Sequence, residues 1–154
     1  MGRGGAERRG GPAGRGVKRL VLLDNEAVQA LGGGPAHRKH RRVVYEVLTA
    51  ASRTTRGRRI GVAVPTTVRV EAGWDRTSSA WAFVNRLRIA DIPLSAEHAD
   101  AAAGIRKRTG VSIADAHLGS AIRNAEQDYV TVVTSDPRDI RKVAEGSRVD
   151  VVAI

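Results

Sequence analysis

The stretch LVLLDNEAVQAL, residues 20–31, combines an apolar run with a short helical pattern. Its first four residues are all apolar, which is typical of a strand that is covered on both faces of a sheet. Residues 25–31 have helical spacing, and the glycines and proline at 32–35 end the helix. Asp24 stands where the strand passes into the helix. The stretch therefore predicts a βα unit with a carboxylate at the carboxyl end of its strand.

The rest of the chain repeats this alternation of strand and helix. Further strands are predicted at 60–64, 89–94, 129–134 and 149–154. Further helices are predicted at 37–55, from 65 onward with a threonine hydroxyl as its cap, and at 78–87, 95–109, 112–127 and 137–144. The alternation indicates an α/β fold with a mostly parallel central sheet flanked by helices. We expect one domain over residues 17–154, because no internal repeat or linker interrupts it.

The composition limits the classes of function. A length of 154 residues and a hydrophobic fraction of 42% fit one domain with a core. Cysteine is absent, which excludes disulfides and thiolate metal sites. The 26 Lys and Arg exceed the 16 Asp and Glu by ten charges, which favours a polyanionic partner such as nucleic acid. Solubility or a biased genome would explain the same charge.

The ends and apolar runs of the chain indicate its location. Residues 1–16 are rich in Gly and Arg, so we expect them to be disordered, either as an RNA-contacting arm or as an artefact of expression or of a mis-assigned start. They lack the apolar core of a secretion signal. No stretch approaches the roughly 20 apolar residues that cross a bilayer. A cytoplasmic location without a membrane partner is therefore expected.

Asp115 lies in the helical run VSIADAHLGSAI, residues 111–122. Val111, Leu118 and Ile122 fall on the same predicted helical face, so this apolar face also carries a carboxylate. A buried carboxylate without a partner is costly or takes up a proton. Asp115 is therefore a candidate functional residue.

Three more acids stand at the edges of apolar segments. Asp24 and Asp136 follow strands whose carboxyl ends meet at one edge of a parallel sheet. Glu71 has Val68 and Trp74 at three-residue spacing, which predicts that it faces inward. We therefore expect these three acids to meet Asp115, and a divalent cation would relieve the repulsion among them.

Each acid also has a structural interpretation. Asp24 and Asp136 are good N-caps for the helices that follow them. Glu71 can pair with a nearby arginine, and Asp115 with Arg123, although a salt bridge inside an apolar face rarely repays its desolvation. The four positions together are more specific than any one of them.

Two histidine motifs are given structural interpretations. His37 and His40 are spaced for a metal, but no third ligand is near, and the run HRKHRR predicts a solvated basic face that can contact phosphates. His117 follows Asp115 by two residues, so on a helix it points elsewhere.

The order of four segments, LVLLDNEAVQAL, VPTTVRVEAGW, SIADAHLGSAI and VVTSDPRDI, resembles the PIN domain, and most of all the VapC-type toxin ribonucleases of bacterial toxin–antitoxin pairs. The resemblance covers nearly all of residues 17–154. In that family an Asp ends the first strand, a Glu follows the second, an Asp lies on a later helix and an Asp follows the next strand. The matching residues are Asp24, Glu71, Asp115 and Asp136. Thr134 or Ser135 matches the hydroxyl that supports the last acid.

The resemblance implies endonucleolytic cleavage of RNA that depends on Mg²⁺ or Mn²⁺. It implies that Asp24, Asp115 and Asp136 bind the main ion and that Glu71 completes the shell or orients water. Two less certain neighbours of the site are Asn25 and Asp139. The implied partners are an inhibitory antitoxin and a second copy of the chain in a homodimer.

Other functions remain open at this stage. The net charge alone is compatible with a non-catalytic PIN-like RNA-binding module. A phosphoacceptor domain is disfavoured, since a single Asp rather than an acidic pair follows the first strand and no Lys closely follows the strand at 130–134. The aromatic residues Trp74, Trp81 and Phe83 are predicted to lie in the core, with a dimer interface as the alternative.

Overall fold

Five parallel strands organise the part of the chain that the computed structural model describes, residues 18–52 and 59–154. The predicted disorder of residues 1–16 lies outside this part. The strands are β1 (Lys18–Leu23), β2 (Arg59–Pro65), β3 (Ala90–Ile92), β4 (Tyr129–Thr134) and β5 (Asp150–Ala153). Their order in the sheet is β3-β2-β1-β4-β5, and every pair is parallel. The predicted α/β fold is confirmed.

Seven α-helices connect the strands in the described ranges. They are α1 (Asn25–Gly32), α2 (His40–Ser52), α3 (Thr66–Ala72), α4 (Ala82–Asn85), α5 (Ala96–Thr109), α6 (Ile113–Arg123) and α7 (Pro137–Ala144). Serine side chains cap α5 and α6, because Ser95 accepts a hydrogen bond from the backbone N–H of His98 and Ser112 accepts one from that of Asp115. Within the described ranges, no helix is long and apolar enough to cross a membrane.

The two faces of the sheet bury separate clusters, because successive side chains of a strand point in opposite directions. On one face, Val21 and Leu23 pack under α1, α2 and α3. On the other face, Leu20 and Leu22 pack under α6 and α7. A smaller cluster joins α5 to α6 and α7, with Ile105 at its centre. The helix α6 is therefore buried almost along its whole length.

Two local predictions are wrong. Residues 78–87 form a short 3₁₀ turn, Ser79–Trp81, and the four-residue α4 instead of one helix. The Asn85 side chain accepts from the Trp74 indole and donates to a backbone carbonyl, which holds this segment to the preceding loop. No side chain caps α3 at its first turn, since the Thr66 hydroxyl accepts instead from the backbone of Leu94.

The aromatic side chains are divided between core and surface. Trp74 is buried, and Trp81 packs against the same core. A Cβ at Gly32 would overlap the Trp81 ring, so only glycine fits under that ring. Phe83 is 43% exposed, and the prediction that it belongs to the core is wrong.

Candidate functional site

The chain changes direction in the sheet between β1 and β4. From β1 it proceeds outward through β2 to β3, and it then returns to form β4 and β5 on the other side of β1. In open parallel sheets, ligands bind at such a point, beyond the carboxyl ends of the two strands. Asp24 follows β1, and residues 135–136 follow β4, so both lie at this crevice.

Asp24 is buried and joins the two strand ends. Its Oδ1 accepts from the backbone N–H of Ala27 at 2.8 Å, and its Oδ2 accepts from that of Ser135 at 3.3 Å. Thr134 adds a side-chain hydrogen bond. Burial nevertheless raises the pKa of Asp24 above its ordinary value, and the nearby Glu26 adds to the rise. Asp24 is therefore an N-cap, as its structural interpretation predicted, but one whose charge is poorly compensated.

Asp115 lies in the first turn of α6 and is half-buried. Burial raises its pKa, and the charges of Asp139, Glu71 and Asp24 raise it further, while the Ser112 hydroxyl lowers it. We call Asp24, Glu71, Asp115 and Asp139 the acidic cluster, because the charges of the other three all act on Asp115. A carboxylate in a first helical turn is ordinarily favourable, so the repulsion from the other three is the unusual feature.

The close contact of α6 with α7 brings Asp139 into the acidic cluster. A Cβ at Gly119 would lie 2.7 Å from the carbonyl oxygen of Val143 and 2.8 Å from its Cβ. Because such distances do not occur between real atoms, only glycine lets these two helices approach so closely. This contact holds the last turn of α7 against α6, and Asp139 lies one turn before Val143 on the same helix.

The surroundings of Asp136 differ from those of Asp115. Its carboxylate accepts from the backbone N–H of Asp139 at 3.2 Å and caps α7. Its own N–H donates to the Thr134 hydroxyl at 2.9 Å, so this threonine supports both strand ends. Asp136 is exposed and is not among the charges that raise the pKa of Asp115. Asp139, one turn later, stands closer to the other acids than the sequence indicated.

Glu71 is exposed, and the prediction that it faces inward is wrong. That prediction counted Trp74 as part of the same helix, but Gly73 is left-handed, with φ 77°, and ends α3 at Ala72. The three-residue spacing beyond Gly73 therefore carries no information about the helical face. Glu71 still acts on Asp115, because α3 packs against α6.

The arginines that might have neutralised Glu71 are used elsewhere. Arg69 and Arg76 both bind Asp91, at 3.0 and 2.8 Å, and both guanidinium groups lie over the Trp74 ring. We call these four residues the Asp91 cluster. Arg123, the predicted alternative partner of Asp115, lies 3.6 Å from a Glu145 oxygen instead.

The acidic cluster therefore lacks the cations that would make it a structural network. Within the described ranges, none of Asp24, Glu71 and Asp115 forms an ion pair, and Asp139 has only a 4.0 Å contact with Lys142. In the same ranges, no three acidic or histidine side chains are close enough to form a metal cage. Mg²⁺ usually keeps several waters and binds one or two carboxylates together with substrate phosphates. The open spacing and the oxygen ligands fit such an ion.

His117 lies on the side of α6 that faces the protein interior and is fully buried. Its Nδ1 is 2.8 Å from the Thr67 hydroxyl on α3, and its Nε2 finds no hydrogen-bond partner among the described residues. Burial lowers the pKa of His117 to about 4, and the neighbouring His98 contributes to this shift. The prediction that His117 points away from the acids agrees with this position.

The basic run at residues 37–42 lies beside the start of α1. His37 and Lys39 approach the Glu26 carboxylate at 3.5 and 3.7 Å, and Glu26 is two residues after Asp24. Arg38 and Arg41 are exposed. His40 is buried, with its Nδ1 2.9 Å from the carbonyl of Ala30, so the predicted basic face includes only part of the run.

No family model matches the sequence, and neither does any curated protein. Solved structures do match the fold. VapBC2 from Rickettsia felis, solved bound to a DNA fragment from its promoter, is similar with a TM-score of 0.57 and 13% sequence identity, covering 88% of this chain and 98% of that chain. FitAcB from Neisseria gonorrhoeae is similar with a TM-score of 0.51 and 17% identity, covering 85% and 95%.

A five-stranded parallel sheet with helices on both faces defines the class of open α/β domains, in which the sheet edge at the switch point is the usual place for a ligand. Within that class, the solved structures identify the fold of this chain as the PIN-domain fold. The resemblance found in the sequence is thereby confirmed at the level of the fold.

Proposed function

We propose that this protein is a Mg²⁺- or Mn²⁺-dependent endoribonuclease, the toxin component of a toxin–antitoxin system. The main support is the raised pKa of Asp24 and of Asp115 in a group of acids without adequate cationic partners. Such a group destabilises the metal-free fold, and functional sites are where proteins retain that cost. The similar solved structures are toxin–antitoxin complexes, which supports the same assignment. A cytoplasmic location agrees with a cellular RNA substrate.

The ion would be held by Asp24 and Asp115, with Asp139, Glu71 and the previously predicted Asp136 as further ligands or as acceptors for its waters. A bound divalent cation would neutralise charge on the phosphodiester and make an attacking water more acidic. Asp24 is held by two backbone N–H groups, so its carboxylate is preorganised. Glu71 is exposed at the mouth of the cluster and is placed to accept a hydrogen bond from water.

A cleavage assay tests this proposal directly. Purified protein is incubated with RNA in Mg²⁺ or Mn²⁺, with EDTA and the Asp115→Asn variant as controls. We expect cleavage with either metal, none in EDTA, and a loss of at least about 10- to 100-fold in the variant, because changing residues that only support metal ligands already costs that much. Equal cleavage in all lanes would reject the proposal.

A non-catalytic RNA-binding module is the second candidate, and the net charge of +10 favours it. The two candidates differ in their response to a chelator. RNA binding that persists in EDTA, without any cleavage in Mg²⁺ or Mn²⁺, would support the binding module and exclude the nuclease.

An antitoxin and a second copy of the chain are the proposed protein partners. Val70 on α3 is 81% exposed and Ile113 on α6 is 55% exposed, and both are adjacent in sequence to residues of the acidic cluster or its cap. Large exposed apolar side chains near a site are typical of interaction surfaces. Light scattering would detect a homodimer, and a monomer mass at high concentration would exclude it.

A further inference from the structure

The only link between α3 and α6 through polar side chains in the described ranges is the contact between Thr67 and His117. The Thr67 hydroxyl and His117 Nδ1 are 2.8 Å apart. Thr67 precedes Glu71 by four residues on α3, so the two side chains lie on the same helical face. His117 follows Asp115 by two residues on α6. The contact therefore joins the two helices that carry Glu71 and Asp115.

A histidine at position 117 is energetically unfavourable compared with an apolar residue. The side chain is fully buried, and its Nε2 has no hydrogen-bond partner of good geometry among the described residues, although the Pro93 backbone is near enough to oppose the lowering of the His117 pKa by burial. A leucine of similar size would fill the space without leaving a polar atom unpaired, and buried unpaired atoms in native proteins call for an explanation. Packing alone does not explain why a histidine occupies this position, whereas the hydrogen bond to Thr67 does.

The hydrogen bond between Thr67 and His117 limits the rotation of α3 relative to α6. Apolar packing between two helices tolerates small rotations and slides, but one directional hydrogen bond does not. A rotation of α3 about its axis would move Glu71, one turn beyond Thr67, toward or away from Asp115. The charge of Glu71 already contributes to the environment of Asp115, so this separation matters to the acidic cluster.

We propose that Thr67 and His117 are positioning residues that set the separation of Glu71 and Asp115, and thereby the affinity of the site for a divalent cation. This inference rests on the proposed function. It assigns no proton transfer to His117, which is neutral near pH 7 and does not contact the reacting atoms. Groups that hydrogen-bond directly to metal ligands usually change metal affinity by about 10- to 100-fold when they are removed, and for this more remote contact we expect the lower end of that range.

Mn²⁺ binding provides a test that does not depend on activity. Free Mn²⁺ is measured by electron paramagnetic resonance during titration of the full chain. We expect Thr67→Val, which keeps the shape but lacks the hydroxyl, to raise the dissociation constant about tenfold. Thr67→Ser, which keeps the hydroxyl, should bind within about twofold of the wild type. Equal binding by Thr67→Val and the wild type would overturn the inference.

A pair of histidine variants separates positioning from packing. His117→Leu and His40→Leu each remove a buried imidazole with one side-chain hydrogen bond, but His40 links the start of α2 to the Ala30 carbonyl on α1 and not α3 to α6. We expect only His117→Leu to weaken Mn²⁺ binding about tenfold, with a melting temperature equal to or above that of the wild type. Equal weakening by both variants would reduce the effect to general packing and overturn the inference.

The double variant Thr67→Val/His117→Leu completes the test. If the two residues act through one bond, its affinity for Mn²⁺ should be no lower than that of either single variant. Losses that multiply would mean that the residues act separately, which contradicts the inference. A wild-type protein that binds no Mn²⁺ would overturn the proposed function and this inference together, whereas wild-type binding with unaffected variants would overturn the inference alone.

Discussion

The acidic cluster and the Asp91 cluster shift the pKa of a carboxylate in opposite directions. Although burial opposes it, hydrogen bonds and charge from Arg76, with a further contribution from Arg69, hold the pKa of Asp91 below its ordinary value. Asp115 has three acids near it, and its pKa is raised. Both groups lie close to α3, so a shortage of arginine in the region is not the reason for the difference. The chain stabilises one carboxylate and leaves another uncompensated.

The difference separates a structural acid from a candidate functional acid. In the Asp91 cluster two guanidiniums lie against the Trp74 ring, and Arg76 also donates to the carbonyl of Ile89 at 2.6 Å. These contacts connect the end of α3 to β3. Within the described ranges, the acidic cluster makes no such favourable connection between elements. Repulsion of Asp115 by the other acids opposes its ionisation in the folded protein. An added cation is what would convert it into a favourable arrangement.

The largest expected contrast is in activity. Asp24→Asn keeps the N-cap of α1, because asparagine caps as well as aspartate, but it removes a charge from the acidic cluster. We expect RNA cleavage to fall by at least about 10- to 100-fold. Asp91→Asn, the matched change in the Asp91 cluster, should leave cleavage within about twofold. Initial rates at saturating Mn²⁺ measure both, and similar losses in the two variants would remove the distinction between the clusters.

The next contrast is in the response to metal. A ligand that binds only the folded state stabilises it by about 2.7 kcal/mol when its free concentration is 100 times its dissociation constant. We expect Mn²⁺ to raise the melting temperature of the wild type and of Asp91→Asn, but not that of Asp115→Asn. Thermal unfolding with and without the metal measures the shift. An equal shift in Asp115→Asn would place the ion elsewhere.

In EDTA the two clusters should differ in the sign of their effect on stability. The pKa of Asp115 is raised in the fold, so its contribution is favourable at low pH and is lost as the pH rises through the folded pKa. Asp115→Asn should therefore stabilise the metal-free protein at pH 7, with a benefit that shrinks as the pH falls toward the ordinary value of 3.8.

For Asp91 we expect the opposite effect of substitution on stability. Its pKa is lowered, so its contribution is present above the ordinary value of 3.8 and is lost only as the pH falls through the folded pKa. Asp91→Asn should cost about 1 kcal/mol at pH 7, the upper end for a solvent-exposed pair, with little change down to about pH 5 because this range lies above both pKa values. Denaturant unfolding across this pH range tests both signs, and a shared sign would contradict the comparison.

The smallest expected effect concerns RNA affinity. Arg38 and Arg41 are exposed in the basic run beside the start of α1. If each contacts one phosphate, Arg38→Ala and Arg41→Ala should each reduce the slope of log affinity against log salt by about 0.7 to 1. Lys107→Ala, an exposed change in the last turn of α5, serves as the control. An unchanged slope in the arginine variants would exclude this run from the RNA-binding surface.

Most of the fold was predictable because its signals are local. The apolar run of β1, the serine caps of α5 and α6 and the left-handed Gly110 at the end of α5 are all readable from neighbouring residues. The position of Asp24 at the end of β1 followed from the same run. These elements depend on side chains within a few positions of one another.

The site was less predictable because its geometry depends on tertiary contacts. The sequence does not show whether Asp136 or Asp139 of the same first turn approaches Asp115, since this depends on how α7 lies on α6. Gly73 was a local helix-end signal of the same kind as Gly110, and overlooking it led to the wrong orientation of Glu71. The partner of His117 is 50 residues away in the chain, so the bond between them had no local signal.

Gly119 gives the acidic cluster a property that its charged members do not have. Because the two helices touch where this residue has no side chain, an alanine there would work as a spacer between Asp115 and Asp139 without changing any charge. A single methyl group would then reduce the repulsion between Asp115 and Asp139. It would also lower the affinity of the proposed site for a small ion. A residue that contributes no ligand atom would thus affect which ion the proposed site accepts.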